Sequence, residues 1–225
     1  MLRQFVLAAL LASACRAKTA KDTMSDDEEK RFTKCQPTDK TIFDFKVETL
    51  TGEVRNLTEF RGKVLLIVNV ATYCGYTEQY NDFNQLMERN DGVQLLAFPC
   101  NQFHLQEPGH NDEILNGLKH VRPGKNWEPS KNVHIYGKLE VNGENEHPMY
   151  KFLKSTCPPT SEKIGERHKL MYDPIKTTDI VWNFEKFLID RHGRPRVRFF
   201  PGTWKGGKRV EKHFKPLLEE TADKN

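Results

Sequence analysis

The sequence predicts an α/β fold in which a central mixed sheet is flanked by helices. The first observation is residues 63–71 (KVLLIVNVA), a nearly unbroken apolar run rich in β-branched side chains, as in a strand buried on both faces. The second is a helical spacing of apolar residues over 77–90, followed by another apolar run at 93–98 (VQLLAF). A strand, a helix and a strand in this order predict a parallel βαβ unit with a right-handed crossover.

Short elements lie on either side of this unit. Upstream, residues 42–47 and 52–57 predict a small hairpin that turns at Thr51-Gly52. Downstream, Asn111 and Pro148 each begin a short helix, because both residue types are favoured at helix N-termini. These elements extend the α/β pattern on both sides of the unit.

The C-terminal part of the chain predicts a hairpin and a closing helix. Residues 184–190 and 196–200 are the strands, joined by a turn at residues 191–194. A helix over 207–219 follows, and Pro216 is expected to kink it or to divide it into two short helices. The whole order of elements predicts a thioredoxin-like α/β sandwich.

Two segments do not fit the regular pattern. Residues 122–147 and 156–179 are rich in Pro, Gly and polar side chains, so we expect surface insertions on the core. One domain over residues 38–220 includes both segments, and its length suffices for a single well-buried core.

The N-terminus has the pattern of a signal peptide. Arg3 precedes an apolar run over residues 5–11 that is too short to span a bilayer, and small residues follow it. We therefore predict a signal peptide at 1–17, no transmembrane segment, and a secreted, extracellular protein. The Ala-Ser-Ala-Cys run also resembles a bacterial lipoprotein signal, but it lacks the usual large apolar residue three positions before the cysteine. Residues 18–37 are polar and are expected to form a disordered leader.

The charge of the chain does not favour nucleic-acid binding. The formal net charge is +4, and it falls to +2 when Arg3 and Arg16 leave with the signal peptide. Residues 191–209 nevertheless contain seven Arg or Lys and no Asp or Glu. This stretch could be a solvated basic face, a surface that attracts an anionic thiol, or a surface for matrix or nucleic acid. No aromatic stacking motif accompanies it, so we predict no nucleic-acid partner.

Four cysteines remain after processing: Cys35, Cys74, Cys100 and Cys157. They contain no CxxC pair and fit no dense disulfide scaffold, and their spacing does not decide whether Cys35 and Cys157 are paired. The eight histidines show no paired ligand spacing, so we predict no metal site. Asn56 begins an Asn-Leu-Thr sequon and is a glycosylation site if the secretory route is eukaryotic.

Cys74 is the principal candidate for chemistry. It stands between the first buried strand and the helix, so its sulfur is expected at the carboxyl end of the sheet, against the helix N-terminus. The unpaired N–H groups and the dipole at that end favour thiolate over thiol, which predicts a lowered pKa and a nucleophilic sulfur. The alternative is an inert, buried structural cysteine.

Three motifs carry a resemblance to a known family. NVATYCGYT, FPCNQFHLQEPG and WNFEKFLID occur in the order and at spacings similar to those of the glutathione peroxidases, and the resemblance spans about residues 41–218. It is closest to the secreted members, with cysteine at the active position. The resemblance implies that Cys74 is the peroxidatic residue and that Gln106, Trp182 and Asn183 complete the catalytic group.

The chemistry of these residues agrees with that implication. The Cys74 thiolate would attack a hydroperoxide, either hydrogen peroxide or an organic or lipid hydroperoxide, and become a sulfenic acid that thiols reduce. Gln106, Trp182 and Asn183 offer neutral N–H donors that would stabilise the thiolate and the departing oxygen.

The reductant is predicted from what the sequence lacks. Residues 111–121 (NDEILNGLKHV) hold no cysteine where the thioredoxin-linked members resemble one another in having a resolving cysteine, which favours a one-cysteine cycle regenerated by glutathione or another small thiol. Cys100 is expected to be structural. Gln79 replaces an arginine of the glutathione-specific enzymes, so Arg122 and Arg198 are the remaining candidates to bind a thiol carboxylate.

The segments VRPGKNWEPS and STCPPTSE resemble those of the tetrameric members and imply a homotetramer. A rival hypothesis is a non-catalytic secreted binding or structural protein that retains the peroxidase fold. The intact set of Gln106, Trp182 and Asn183 argues against it.

Overall fold

The computed structural model describes residues 31–221 of the chain. Its eight strands are β1 (Phe32–Lys34), β2 (Lys46–Glu48), β3 (Val54–Asn56), β4 (Val64–Val70), β5 (Val93–Pro99), β6 (Val133–Ile135), β7 (Lys186–Ile189) and β8 (Pro195–Phe199). Six of them form one sheet in the order β1-β8-β7-β4-β5-β6, and β2 and β3 form a separate hairpin. This mixed sheet confirms the predicted fold class.

Strand β4 is the centre of the sheet. It pairs in parallel with β5 and antiparallel with β7, so the predicted βαβ unit and the C-terminal hairpin meet along it. All seven of its residues are buried. Leu65 and Ile67 pack into one core, and Leu66 and Val68 into the other, because successive side chains of a strand point to opposite faces. Because both faces of β4 are buried, its sequence is apolar at nearly every position.

The helices cover the two faces of the sheet. They are α1 (Tyr80–Glu88), α2 (Asn111–Asn116), α3 (Pro148–Thr156), α4 (Lys208–Glu211) and α5 (Phe214–Glu219). The buried face of α1 presents Tyr80, Phe83, Leu86 and Met87, the residues whose helical spacing predicted the helix. The closing helix is divided, as expected, but the division precedes Pro216. That proline lies in the first turn of α5, where a missing N–H costs little.

Two of the sequence predictions are wrong at the edges of the sheet. Residues 32–37 belong to the domain and not to a disordered leader, because β1 pairs antiparallel with β8. Residues 122–147 are not wholly a surface insertion, since β6 pairs in parallel with β5. The signal peptide predicted at residues 1–17 and most of the leader lie outside the described residues. Within residues 31–221, no helix is long and apolar enough to cross a membrane.

A disulfide joins the first strand to the end of α3. Cys35 and Cys157 are bonded, and 122 positions separate them along the chain. The two remaining cysteines of the described part, Cys74 and Cys100, are free and buried. The bond fixes β1 to the body of the domain, which explains why so short an edge strand is ordered.

Removing this disulfide is expected to destabilise the protein. A cross-link over a long loop restricts the unfolded chain, so the Cys35→Ala/Cys157→Ala double variant should lose about 2–5 kcal/mol of the free energy of unfolding. Urea denaturation followed by circular dichroism measures the change. Wild-type protein treated with a reductant is the control, because it loses the cross-link but keeps both sulfur atoms. Its free energy of unfolding should fall by a similar amount. Equal midpoints for oxidised and reduced protein would contradict the prediction.

Candidate active site

Cys74 lies just beyond the carboxyl end of β4, where the chain turns into a 3-10 helix over Gly75–Gln79. Its Sγ accepts a hydrogen bond from the backbone N–H of Tyr76 at 3.4 Å. The hydroxyl of Thr77 accepts from the Cys74 N–H at 3.1 Å and donates to the Ala71 carbonyl at 2.7 Å. These bonds fix the turn, and they aim the sulfur at the helix N-terminus as the sequence predicted.

Trp182 and Asn183 lie beside Cys74, where hydrogen bonding from their side chains lowers the pKa of the thiol. Both residues lie in the segment that leads into β7, and β7 is the strand that pairs antiparallel with β4. Gln106 joins the group through Asn183, whose Nδ2 donates to the Gln106 Oε1 at 3.0 Å. The Gln106 carbonyl also accepts from the backbone N–H of Tyr73 at 2.9 Å. The structure therefore brings together all four residues of the predicted catalytic group.

The prediction that the Cys74 pKa is lowered is wrong for this state of the protein. Burial of the side chain, which is 1 % exposed, raises its pKa above the usual value of 9.0. The Tyr76 N–H, the side chains of Trp182 and Asn183, and the charge of Arg122 each lower the pKa, but together they do not offset burial. Each of these groups binds a thiolate more strongly than a thiol and so opposes the effect of burial.

Arg122 and Arg198, the two candidate anion-binding residues, lie in different environments. Arg122 is half-buried and close enough for its charge to favour the Cys74 thiolate. Arg198 is fully buried and forms an ion pair with Glu185, so it does not offer a guanidinium to a thiol carboxylate at the surface. The proposed role of Arg198 in binding the reductant is therefore wrong. Charge alone predicted that role, because burial depends on a tertiary partner.

The basic stretch at 191–209 is not one continuous surface patch. Besides the buried Arg198, Arg196 is bonded to the carboxylates of Asp190 and Glu220 at 3.1 and 2.6 Å. Paired and buried charges contribute little to an attractive field at the surface. The stretch therefore gives no support to a continuous basic surface that would attract an anionic thiol, matrix or nucleic acid.

Lys186 is a residue of the site region that the sequence reasoning missed. It is fully buried, its Nζ donates to the Pro201 carbonyl at 2.6 Å, and it lies 5.1 Å from the centre of the Trp204 ring. Burial lowers the Lys186 pKa well below its usual range, while the charges of Glu185 and Cys74 oppose that shift. The available signal was its position on a buried strand, three residues after Asn183.

Glu107 is the second residue that was missed, although it directly follows Gln106. Its carboxylate accepts from the Thr72 N–H at 2.9 Å and from the Thr72 hydroxyl at 3.1 Å. The side chain is 2 % exposed, and burial raises its pKa to about 7. The contact ties the loop of Gln106 to the turn that carries Cys74.

Replacing Glu107 with glutamine is expected to remove part of the pH dependence of stability. The folded state holds a proton on Glu107 up to about pH 7, while the unfolded state releases it near pH 4.5. The folded state therefore binds more protons between these values, and the free energy of unfolding falls as pH rises, by up to about 3 kcal/mol. Urea denaturation at pH 4.5 and pH 7 should show a smaller fall for Glu107→Gln. Equal falls in both proteins would contradict this assignment.

A cavity of about 340 Å³ lies beside Trp182. Arg31 and Lys163 contribute basic side chains to its lining, and Tyr76 and Trp182 contribute rings. Tyr76 and Trp182, which line the cavity, are also neighbours of the Cys74 sulfur. In the described part of the chain, no group of three or more His, Cys, Asp or Glu side chains could hold a metal ion.

A cysteine at the end of a central strand of a thioredoxin-like sheet, surrounded by N–H donors, defines a thiol-based oxidoreductase. The glutathione peroxidase family model matches residues 42–154. Cuticular glutathione peroxidase of Wuchereria bancrofti is 60% identical over 188 residues, covering 83% of this chain and 84% of that protein. Glutathione peroxidase 3 of Caenorhabditis elegans is 51% identical, covering 96% of this chain and 95% of that protein.

The solved structure of GPX1 from T. cruzi is also similar, with a TM-score of 0.56 and 34% identity, covering 80% of this chain and 97% of that one. The chain belongs to the glutathione peroxidase family. It is accordingly a peroxidase, an oxidoreductase that uses a thiol as its reducing co-substrate.

Proposed function

We propose that the protein is a secreted peroxidase in which Cys74 reduces hydrogen peroxide and organic or lipid hydroperoxides. The observation that carries the proposal is the convergence of Trp182 and Asn183 on the Cys74 sulfur, with Gln106 bonded to Asn183. These donors are neutral, so they bind an anion more strongly than a thiol without forming a permanent ion pair. They stabilise the Cys74 thiolate, and they then stabilise the negative charge that develops on the departing peroxide oxygen.

In the first half-reaction, the Cys74 thiolate attacks one peroxide oxygen. A sulfur–oxygen bond forms and the oxygen–oxygen bond breaks with its electron pair on the departing oxygen, which takes up a proton to give water or an alcohol. Cys74 is oxidised to a sulfenic acid and the peroxide is reduced. Trp182 and Asn183 lie where they can donate to the developing negative charge.

In the second half-reaction, two thiol molecules restore Cys74. The first forms a disulfide with the Cys74 sulfur and releases water, and the second breaks that bond, leaving an oxidised disulfide of the reductant and a free Cys74. Cys100 is unsuited to this role, because burial raises its pKa to about 12 and its sulfur contacts the Gln102 Oε1 at 3.6 Å. These features support a cycle with one protein cysteine.

The cavity beside Trp182 is the proposed entry site for the reductant. Lys163 and Arg31 in its lining, and Arg122 near the sulfur, would attract the carboxylates of glutathione or another anionic thiol. Gln79 does not supply the positive charge of the arginine that it replaces, and its amide Nε2 donates to the Pro201 carbonyl at 3.0 Å.

Several observations support export of the protein. The Cys35–Cys157 disulfide is a bond that persists in oxidising compartments. A relative at 60% identity is named a cuticular glutathione peroxidase. Asn56 is exposed and thus open to glycosylation in a eukaryotic secretory route.

We also propose the homotetramer that segments 121–130 and 155–162 imply. Val121, at the start of the first segment, is 59 % exposed, and nearby Leu115 is 43 % exposed, so apolar surface is present for an interface. Light scattering at micromolar concentration should give the mass of four chains. A monomer mass across that range would contradict this assembly.

Steady-state turnover tests the proposed function against the non-catalytic rival. Peroxide consumption is measured with glutathione, with an uncharged small thiol and with thioredoxin as alternative reductants. We expect turnover with the small thiols, a lower KM for glutathione than for the uncharged thiol, and a higher glutathione KM in Lys163→Glu. Failure of every thiol to support turnover by folded, reduced protein would favour the non-catalytic hypothesis.

A further inference from the structure

The segment that carries Trp182 and Asn183 is held by side chains from other parts of the fold. The Asn69 Nδ2 donates to the Trp182 carbonyl at 3.1 Å, and the Asn69 carbonyl accepts from the Phe184 N–H at 2.6 Å. Asn142 binds both backbone polar groups of Ile180, each at 2.9 Å. Residues 180–184 do not belong to a strand, so their conformation depends on these partners.

Arg198 is the largest contributor to this support. It lies on β8 with a fully buried side chain. Its guanidinium donates to the carbonyls of Thr178 and Asp179 at 3.1 and 2.8 Å, and to the carbonyl of disulfide-bonded Cys157 at 3.2 Å. The Nε N–H binds the carboxylate of Glu185. The planar fork of arginine thus joins both ends of residues 178–185 to the sheet.

Glu185 completes the arrangement from the other end of the segment. Its Oε2 accepts from the Val181 N–H at 2.8 Å, one residue before Trp182, while its Oε1 faces Arg198. Its own backbone N–H donates to the Asn69 Oδ1 at 3.0 Å. The carboxylate therefore ties Val181, the residue before Trp182, to Glu185, the second residue after Asn183.

We infer that Arg198 and Glu185 are positioning residues that hold the Trp182 and Asn183 side chains in hydrogen-bonding distance of the Cys74 sulfur. The inference rests on the proposed role of those two side chains in peroxide reduction. A buried ion pair contributes little net stability compared with apolar residues of similar size, but it fixes geometry through its directed bonds. Small displacements of groups that stabilise a transition state cost much of the rate.

The test compares variants of the pair with variants of the catalytic group. Glu185→Met/Arg198→Met removes both charges and leaves neither one buried alone. Glu185→Gln changes fewer contacts, because its one amide oxygen can still accept from either Val181 or Arg198, although the arginine charge loses its partner. For native protein, the rate constant for Cys74 oxidation by hydrogen peroxide should fall by about 10- to 100-fold in the double variant, with a smaller fall in Glu185→Gln. The pH midpoint of Cys74 alkylation should also rise, because the donors that lower its pKa are misplaced.

Arg196→Met is the matched control on the same strand, since it breaks ion pairs with Asp190 and Glu220 that do not touch the segment. Its rate constant and alkylation midpoint should stay at wild-type values even if it is less stable. Near-UV circular dichroism gives the native fraction. If the double variant does not fold, the rate constant and alkylation midpoint of Glu185→Gln test the positioning role.

Two outcomes separate the inference from the proposed function. If Trp182→Phe slows oxidation while native variants of Glu185 and Arg198 retain the wild-type rate and midpoint, the positioning role is wrong and the proposed function stands. If Trp182→Phe and Cys74→Ser both retain the wild-type rate, the proposed function itself is wrong.

Discussion

Replacing Cys74 with serine is expected to lower the rate constant for peroxide reduction by about 10³-fold or more. The serine hydroxyl is far less acidic and less nucleophilic than a thiol. The fold should persist, because the change in volume is small. Stopped-flow mixing of reduced protein with hydrogen peroxide, followed by intrinsic fluorescence and by peroxide loss, measures the change.

Cys100→Ser is the matched control, since Cys100 is the other free, buried cysteine of the described chain. It should retain the first-step rate constant within about twofold of wild type, while losing some stability. Equal loss in both variants would show that peroxide reduction does not depend on Cys74 in particular, and it would contradict the proposed mechanism.

The second large effect is expected from removal of the hydrogen-bond donors. Trp182→Phe and Asn183→Ala should each lower the rate constant for Cys74 oxidation by about 10²-fold. Each variant loses an N–H whose hydrogen bonding lowers the Cys74 pKa, so each should also raise the pH at which Cys74 is alkylated. Trp127→Phe is the control for loss of an indole, because the Trp127 Nε1 donates to the Tyr80 carbonyl at 2.8 Å and not to the sulfur.

Gln106 should act together with Asn183 in these measurements. Its Oε1 accepts from Asn183, so Gln106→Ala misplaces the Asn183 amide as well as removing its own. The Gln106→Ala/Asn183→Ala double variant should therefore lose less than the sum of the two separate losses in activation free energy. Strict additivity would indicate that the two amides act independently.

The centre of the fold could be predicted from the sequence because its strands and helix have strong periodic patterns. Residues 63–71 and 93–98 are apolar throughout, and a strand buried on both faces requires such a run. Strands β1 and β6 could not be predicted in the same way, since each has three residues and is stabilised by its partner strand at the sheet edge. A disulfide, which the sequence left open, fixes β1.

The sequence predicted which residues form the site better than it predicted their chemical properties. The four residues of the catalytic group meet as expected, but the Cys74 pKa is raised because burial outweighs the helix N-terminus and the neighbouring donors. Arg198 was taken for a surface cation, whereas its partner Glu185 directly precedes the adjacent strand β7 and both side chains are fully buried. Neither result follows from local sequence, since both depend on what the fold packs around the residue.

The most direct test of a Cys74 cycle is to identify the oxidised sulfur itself. Reduced protein is mixed with one equivalent of hydrogen peroxide in the presence of a β-diketone that reacts with sulfenic acids, and its mass and peptide map are recorded. We expect a single adduct at Cys74, lost when glutathione is added before the trap. A disulfide between Cys74 and Cys100, or oxidation that leaves Cys74 unmodified, would contradict it.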